Sequence, residues 1–178
     1  MISRLLLAMK EALTADCSDL FLSCPEKNAD GKDTARPPRV YVGDFPAKRQ
    51  TGQEAREFPC VVLSPVSGFS SEGQEFCDVA AFLCVYNNEQ GDAEGLEMEL
   101  AQLQNAVSRF LTRAMFNPLD RRYQVVADEK GRIYRWQRNS DLETPRPYLQ
   151  MAVISRWAMP GWQYGGQTPH IQPASPAK

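Results

Sequence analysis

The segment Glu75–Tyr86 constrains the fold most, because it predicts a strand that is apolar on both sides. Side chains alternate along a strand. One side would carry small and aliphatic residues, namely Cys77, Val79, Ala81, Leu83 and Val85. The other side would also be largely apolar, with Phe76, Ala80, Phe82 and Cys84. Since neither face suits water, this strand is expected inside a sheet or under an oligomer contact.

Two segments have the apolar period of amphipathic helices. The first covers Ile2–Leu13, and the second begins at Asp92, a residue suited to helix capping, and ends near Phe116. Shorter strands are predicted at Arg39–Phe45, Cys60–Leu63, Tyr123–Ala127, Arg132–Trp136 and Tyr148–Trp157. A tight turn at Asp128–Gly131 would join the third and fourth of these as a hairpin. We therefore expect an α+β fold, with a mixed, mainly antiparallel sheet and two principal helices packed on it.

The length of 178 residues and the 43% hydrophobic composition predict one domain, which we place at residues 1–160. Polar composition at Pro25–Pro38 and Pro46–Glu57 predicts two exposed, mobile loops. Gly161–Lys178 is rich in Gly, Pro and Gln, which predicts a flexible tail. The apolar run Ile2–Leu13 is too short and too charged for a membrane span or a signal peptide, so a cytoplasmic protein is expected.

Charge is distributed unevenly along the chain, although the net charge is only −2. No Lys or Arg occurs from Phe58 to Ser108, whereas Arg109–Arg138 holds eight of the twenty basic residues. Part of this asymmetry is ordinary helix electrostatics, since acidic residues favour the start of a helix and basic residues its end. The remainder predicts complementary protein surfaces. The candidate subunit-interface residues are Glu72, Glu75, Asp78, Glu97, Arg121, Arg122, Arg132 and Arg135.

Catalytic, cofactor and metal signatures do not compete with this interpretation. Glycine-rich phosphate motifs are absent, and the single His170 lies in the predicted tail, where no core would hold it as a base. The five cysteines lack CxxC spacing and are expected to be free and mostly buried. Arg132–Arg138 interleaves arginines with aromatic residues, as in single-strand nucleic-acid binders. Strand alternation makes a solvated sheet face the simpler interpretation, so we expect a non-enzyme without cofactor, metal or nucleic-acid partner.

In size, element order and character, the chain resembles the bacteriophage tail-terminator or tail-completion family, with its lambda-like tail protein fold. The resemblance covers residues 1–160 and includes the phrases Phe58–Pro65, Ala80–Tyr86 and Gly95–Val107. It implies a structural protein, here expected from a prophage, that forms a hexameric ring on the tail tube, stops tube growth and offers a head-joining surface. The implied partners are further copies of the chain, the tail tube protein and the head–tail joining protein. The implied location is the cytoplasm, or the virion tail after assembly.

In such a ring, one patch of each subunit meets a different patch of the next. We expect the acidic strand and helix start of one copy to face Arg121–Arg138 of its neighbour, and the polar loops to contact the tube. Two alternatives remain open. The first is an adaptor of a phage-tail-derived secretion or contractile apparatus. The second is a cytosolic small-molecule-binding domain or enzyme with a pocket under the first helix, in which Cys60 or Cys77 would be the nucleophile.

Overall fold

A computed structural model describes residues 1–27, 29, 31, 33–44, 57–87, 93–138 and 148–160. These ranges contain two helices and eight strands. In chain order they are α1 Ile2–Asp16, β1 Leu22–Lys27, β2 Asp33–Arg36, β3 Arg39–Val42, β4 Cys60–Ser71, β5 Gln74–Tyr86, α2 Ala93–Phe116, β6 Gln124–Val126, β7 Tyr134–Arg138 and β8 Tyr148–Met159. The predicted cap Asp92, the predicted loop over residues 46–56 and the predicted tail at 161–178 lie outside the described residues.

Six strands form one mixed sheet in the order β3-β4-β5-β8-β6, with β7 also paired to β8. β3 and β4 run parallel, while β4, β5, β8 and their other neighbours run antiparallel. Both helices contact this sheet, α1 on β3 and β4, and α2 on β5, β6 and β8. The predicted α+β fold, with two helices on a mainly antiparallel sheet, is confirmed.

The central position predicted for the doubly apolar strand is confirmed, because β5 lies between β4 and β8. Its residues Cys77, Val79, Ala81, Leu83 and Val85 belong to the main core under the helices. On the other side of the sheet, Cys84 and Tyr86 of β5 form a second apolar cluster with Phe58, Cys60 and Val62, and Phe82 packs against it. The strand therefore contributes to two apolar layers.

The main core forms where α2 packs on the sheet. Its apolar period buries Leu96, Leu100, Leu103, Val107 and Phe110 against β5 and β8. The ring of Phe110 lies 6.0 Å from that of the fully buried Trp157 on β8. An ion pair of 2.5 Å between Asp16 and Arg113 joins the ends of α1 and α2. The apolar faces of the two helices cover one side of the sheet, and exposed residues lie along its edges.

The predicted hairpin between Tyr123–Ala127 and Arg132–Trp136 is wrong. β6 and β7 do not pair with each other; both pair with β8, at Gln124–Val126 and Tyr134–Arg138, and so follow one another along the same edge. The turn between them forms nonetheless, since the Asp128 carboxylate accepts hydrogen bonds from the backbone N–H groups of Lys130 and Arg132. The turn between β6 and β7 does not make them pair with each other, because both can form backbone hydrogen bonds with the longer strand β8.

The polar segment Pro25–Pro38, predicted as a loop, instead contributes to an antiparallel pair of strands, β1 and β2. Three residues, two just before this segment and one within it, make tertiary contacts that its polar composition does not reveal. Leu22 enters the main core, and the Ser23 hydroxyl donates a 2.5 Å hydrogen bond to Glu99 on α2. The Arg36 guanidinium donates to the carbonyl of Phe58 at 2.8 Å. Tertiary contacts thus stabilise strands that composition alone assigns to solvent.

Candidate interaction surface

A long exposed element is the outer part of the β4–β5 pair, here called the distal hairpin and defined as Pro65–Asp78. β4 was predicted to end before Pro65 but continues to Ser71, with an irregularity between Pro65 and Ser67. Every residue from Pro65 to Gln74 is exposed. Proline lacks an N–H donor and is tolerated where a strand bulges or has no outer neighbour. β3 pairs with β4 only as far as Leu63, so the bulge begins just beyond the paired part of β4.

The tip of the distal hairpin is a two-residue turn. Ser71 and Gln74 are the last paired residues, and the residues between them, Glu72 and Gly73, have φ values of 51° and 78°. Two successive positive φ values are the signature of the type I′ turn, whose twist matches that of paired strands. The turn therefore continues the ladder to its end and carries the Glu72 carboxylate at the extreme tip.

A cluster of side chains braces the distal hairpin against β8. The Arg156 guanidinium donates two hydrogen bonds to the Asp78 carboxylate, at 2.8 and 3.2 Å, and the Ser67 hydroxyl donates a third at 3.0 Å. Arg156 also lies 5.0 Å from the ring centre of Phe69, which stacks on Phe76 at 4.9 Å. These contacts link β4, β5 and β8, so the hairpin is held by side chains as well as by backbone bonds.

The hydrogen bond from Arg156 is the largest cause of a lowered pKa at Asp78, and the Ser67 hydrogen bond acts in the same direction. Burial opposes both, since it favours the uncharged carboxyl. The pKa of Arg156 is raised for the reciprocal reason. Asp78 and Arg156 are therefore charged together at neutral pH.

The four predicted acidic interface residues fall into two groups. Asp78 pairs with Arg156, and Glu97 at the start of α2 pairs with Arg138 on β7, both within one chain. Glu72 and Glu75 lie at the tip and on the inner strand of the distal hairpin. Among the described contacts these two make no ion pair, so they are the acidic residues available to a neighbouring molecule.

The four predicted basic residues also divide. Arg132 forms a 2.7 Å ion pair with Asp128 in the turn before β7. Arg121 and Arg122 occupy an exposed turn before β6, and Arg135 lies exposed on β7. The described residues place no ion-pair partner at these last three. For all eight residues, the assignment to a subunit interface stays a prediction.

The turn that carries Arg121 and Arg122 is tightly wound. The N–H of Arg122 bonds to the carbonyl of Leu119 at 2.9 Å, and Asp120 and Arg121 have φ values of 51° and 56°. Left-handed backbone at residues other than glycine costs free energy, so the surrounding structure must hold it. Here the buried Tyr123 follows directly and pairs back to Leu119. Both guanidinium groups are thereby held on the surface.

Two shallow clefts flank this basic turn. One, of about 520 Å³, is lined by Arg121, Arg122 and residues of α1 that include Arg4 and Glu11. The other, of about 420 Å³, is lined by the same two arginines and by Gln74 at the start of β5. The same end of the sheet thus carries the acidic tip on its β4 side and the basic turn on its β6 side.

The outer edge on the other side of the sheet is formed by β7. Arg135, Trp136, Gln137 and Arg138 are all exposed, and 57% of the Trp136 surface is accessible. β7 pairs with β8 on its inner side, and the described residues provide no strand on its outer side. A basic strand with an exposed tryptophan therefore bounds the sheet on the side away from β4.

The five cysteines include the two candidate nucleophiles, Cys60 and Cys77. All five are buried, as predicted. Burial and the neighbouring Asp78 raise the pKa of Cys77, and burial raises that of Cys17 to about 11. A hydrogen bond with Cys60, together with burial, raises the pKa of Cys84. These surroundings favour the protonated thiol, whereas a reactive cysteine needs an accessible thiolate.

Sequence reasoning missed Arg156, which organises the distal hairpin. A usable signal was present: Arg156 is the single charged residue of β8, and Asp78 is the single charged residue from Phe76 to Tyr86. Isolated opposite charges on two apolar strands favour pairing if the strands are neighbours. The described residues contain no cluster of three His, Cys, Asp or Glu side chains that could hold a metal ion. Among them, no helix is long and apolar enough to cross a membrane.

Comparison with known proteins assigns no family. The chain matches none of the protein-family models, and no curated protein matches it. Function has to be inferred from the exposed sheet edges, from their charges and from the resemblance noted in the sequence.

Proposed function

We propose that this chain is a structural protein of phage tail assembly, a ring-forming terminator that caps the tail tube and offers a head-joining surface. The main supporting observation is that two parts of one sheet differ in charge: the tip of the distal hairpin is acidic, whereas the turn before β6 and strand β7 are basic. Glu72 lies at the tip of the distal hairpin on the β4 side, and Arg121, Arg122 and Arg135 lie on the β6–β7 side. A closed ring needs two different surfaces on each subunit that fit one another.

The element order supports the same proposal. The first helix, the long central strand β5, the long helix α2 and the last strand β8 follow one another in the order on which the resemblance rests, whereas β1 and β2 stand where that order had a polar loop, and β6 and β7 do not form its hairpin. The partners would be further copies of the chain, in a hexamer, together with the tail tube protein and a head–tail joining protein. The protein would act in the cytoplasm and remain in the virion tail after assembly.

Electrostatic attraction between edges predicts a specific dependence on salt. Surface charges attract most strongly at low ionic strength, where the Debye length is about 30 Å at 0.01 M and about 10 Å at 0.1 M. Replacing Arg121 and Arg122 by glutamate reverses the charge of one edge and should weaken the ring, most strongly at low salt. Lys10→Glu is the matched control, since it reverses an exposed basic residue on α1.

The proposed function is tested by growing tail tubes from purified tail tube protein with and without this chain. Electron microscopy should show shorter tubes whose ends carry a ring when the wild-type chain or Lys10→Glu is added. The doubly reversed variant should leave longer tubes with bare ends. Unchanged tube lengths and bare ends with the wild-type chain would contradict the terminator function.

A further inference from the structure

The outer sides of β3 and β6 and two longer stretches of sheet edge have no described strand beside them. One is the outer half of β4, where the pairing with β3 stops at Leu63 and Ser67–Ser71 continues as an exposed strand. The other is the outer side of β7. Unpaired edges present rows of backbone N–H and C=O groups that can pair with another chain.

The backbone groups that face outward on β4 follow from the ladder. The carbonyl of Leu63 accepts a hydrogen bond from the N–H of Gly43 on the β3 side. In this part of β4 the odd-numbered residues therefore direct their backbone groups away from β5. The irregularity between Pro65 and Ser67 shifts this alternation by one residue, so that beyond it the even-numbered residues direct their backbone groups away from β5. Ser67, Phe69 and Ser71 then bond to β5, which agrees with the closed turn at Ser71 and Gln74. Gly68 and Ser70 therefore direct their N–H and C=O groups to the open edge.

The same counting applies across the sheet to β7. Along β5, residues whose backbone groups bond to β8 alternate with residues whose backbone groups bond to β4. Along β8, residues that bond to β5 alternate in the same way with residues that bond to β7. Arg135 and Gln137, opposite Ile154 and Ala152, form the hydrogen-bonded pairs with β8. Tyr134, Trp136 and Arg138 consequently direct their backbone groups outward, at the same two-residue spacing as Gly68 and Ser70.

The β4 edge lacks the usual devices against strand addition. Ser67–Ser71 contains no charged residue and no proline, and Phe69 is 46% exposed. Natural edges that remain free commonly carry lysine, proline or a bulge. Here the proline and the bulge lie before this stretch, at Pro65, and leave the stretch itself regular. An edge of this kind is suited to addition of a strand by backbone hydrogen bonds.

We propose that the outer half of β4 in one copy of the chain pairs with β7 of the next copy, antiparallel, to join their sheets. The inference rests on the ring-forming part of the proposed function and names its contact. β4 and β8 run in one direction and β7 in the other, so a neighbour held in the same orientation brings its β4 antiparallel to β7.

Charge favours pairing of β4 with β7 over pairing of β7 with β7. β7 carries Arg135 and Arg138, so two β7 edges side by side would repel, although Arg138 is partly compensated by Glu97. The β4 edge is uncharged and ends beside Glu72, so it meets the basic strand without repulsion. Two β4 edges could join without such repulsion, but that contact would close a dimer and leave both β7 edges open.

The test uses two full-length variants that each block one edge. Ser70→Pro removes an outward N–H on β4, and Trp136→Pro removes one on β7; neither N–H belongs to the ladder inside the chain. Ser70→Ala and Trp136→Ala are the matched controls, because they change the side chain and keep the donor. Ser70→Lys is a second block of the β4 edge that leaves the backbone intact. Circular dichroism shows whether each variant retains the fold.

Sedimentation should show wild-type rings, rings for Ser70→Ala, and single chains for Ser70→Pro, Ser70→Lys and Trp136→Pro. Mixing Ser70→Pro with Trp136→Pro should give a one-to-one dimer, since one intact edge of each kind remains. Rings from both proline variants would overturn edge pairing and leave the ring itself standing. Dimers of Trp136→Pro alone would show that β4 pairs with β4. A wild-type chain that stays single at every concentration, with no dimer on mixing, would overturn the proposed ring as well.

Discussion

At the scale of single residues, Asp78 shows what the sequence could and could not reveal. It is a charged residue inside an apolar strand, and the sequence predicts that it lies at a subunit contact. The structure instead places it opposite Arg156 of the same chain. Periodicity reports which side of a strand a residue occupies, but not which strand lies beside it. Until β8 is known to neighbour β5, the partner of Asp78 cannot be identified from the pattern.

The ion pair predicts a pH-dependent stability. The pKa of Asp78 is lowered in the folded chain, so its contribution is present above the unfolded pKa and is lost as pH falls through the folded pKa. Asp78→Asn should destabilise the fold by about 1–2 kcal/mol at pH 7, a figure reduced for partial solvent screening. Urea unfolding should show this difference shrinking as the pH is lowered towards 2.

Glu97→Gln provides the matched control, because Glu97 is also ion-paired but both partners are about half exposed. Exposed pairs contribute about 0–1 kcal/mol. Its unfolding should follow that of the wild type closely at every pH. An Asp78→Asn variant with wild-type stability at pH 7 would show that the Asp78–Arg156 ion pair does not stabilise the distal hairpin.

At the scale of elements, the strongly periodic segments were predicted well. β5, β8 and α2 bury continuous apolar stripes, and such stripes leave few alternatives. The distal hairpin and the β1–β2 pair were missed or shortened, because their strands are held by specific side chains such as Ser23 and Arg156. The error at β6 and β7 has another cause. Proximity in sequence favours a hairpin, whereas β8 offered both strands a longer partner.

The tip turn of the distal hairpin predicts a clear effect of one glycine. Gly73 has a φ of 78°, and a Cβ added there would meet no atom within 4 Å, so only backbone strain opposes substitution. Gly73→Ala should destabilise the fold by about 1 kcal/mol, since left-handed backbone costs other residues that much. Glu72→Asn should shift stability the other way, because Asn suits the first position of this turn.

Both variants are measured by urea unfolding at neutral pH. Equal unfolding midpoints for Gly73→Ala and the wild type would show that the turn does not need a left-handed residue. A loss of stability in Glu72→Asn would point to a contact of the Glu72 carboxylate that stabilises the folded chain.

At the scale of the whole molecule, the two longest open stretches of the described sheet edge, on β4 and β7, differ in chemistry. The uncharged β4 edge ends at an acidic tip, while β7 and the turn at Arg121–Arg122 are basic. The sequence already showed this charge separation, but it could not show that several charges are paired inside one chain. Two ion pairs within the chain, Glu97 with Arg138 and Arg132 with Asp128, reduce the number of unpaired charges available to another molecule. Backbone edges then become the larger part of any contact between copies.

Assembly of this chain through different edges into a closed ring is measurable by light scattering of the wild-type chain across protein concentration and salt. We expect a discrete species of about six 20.0 kDa chains that loses mass as salt is raised. A species that stays single at every concentration and ionic strength would contradict this assembly.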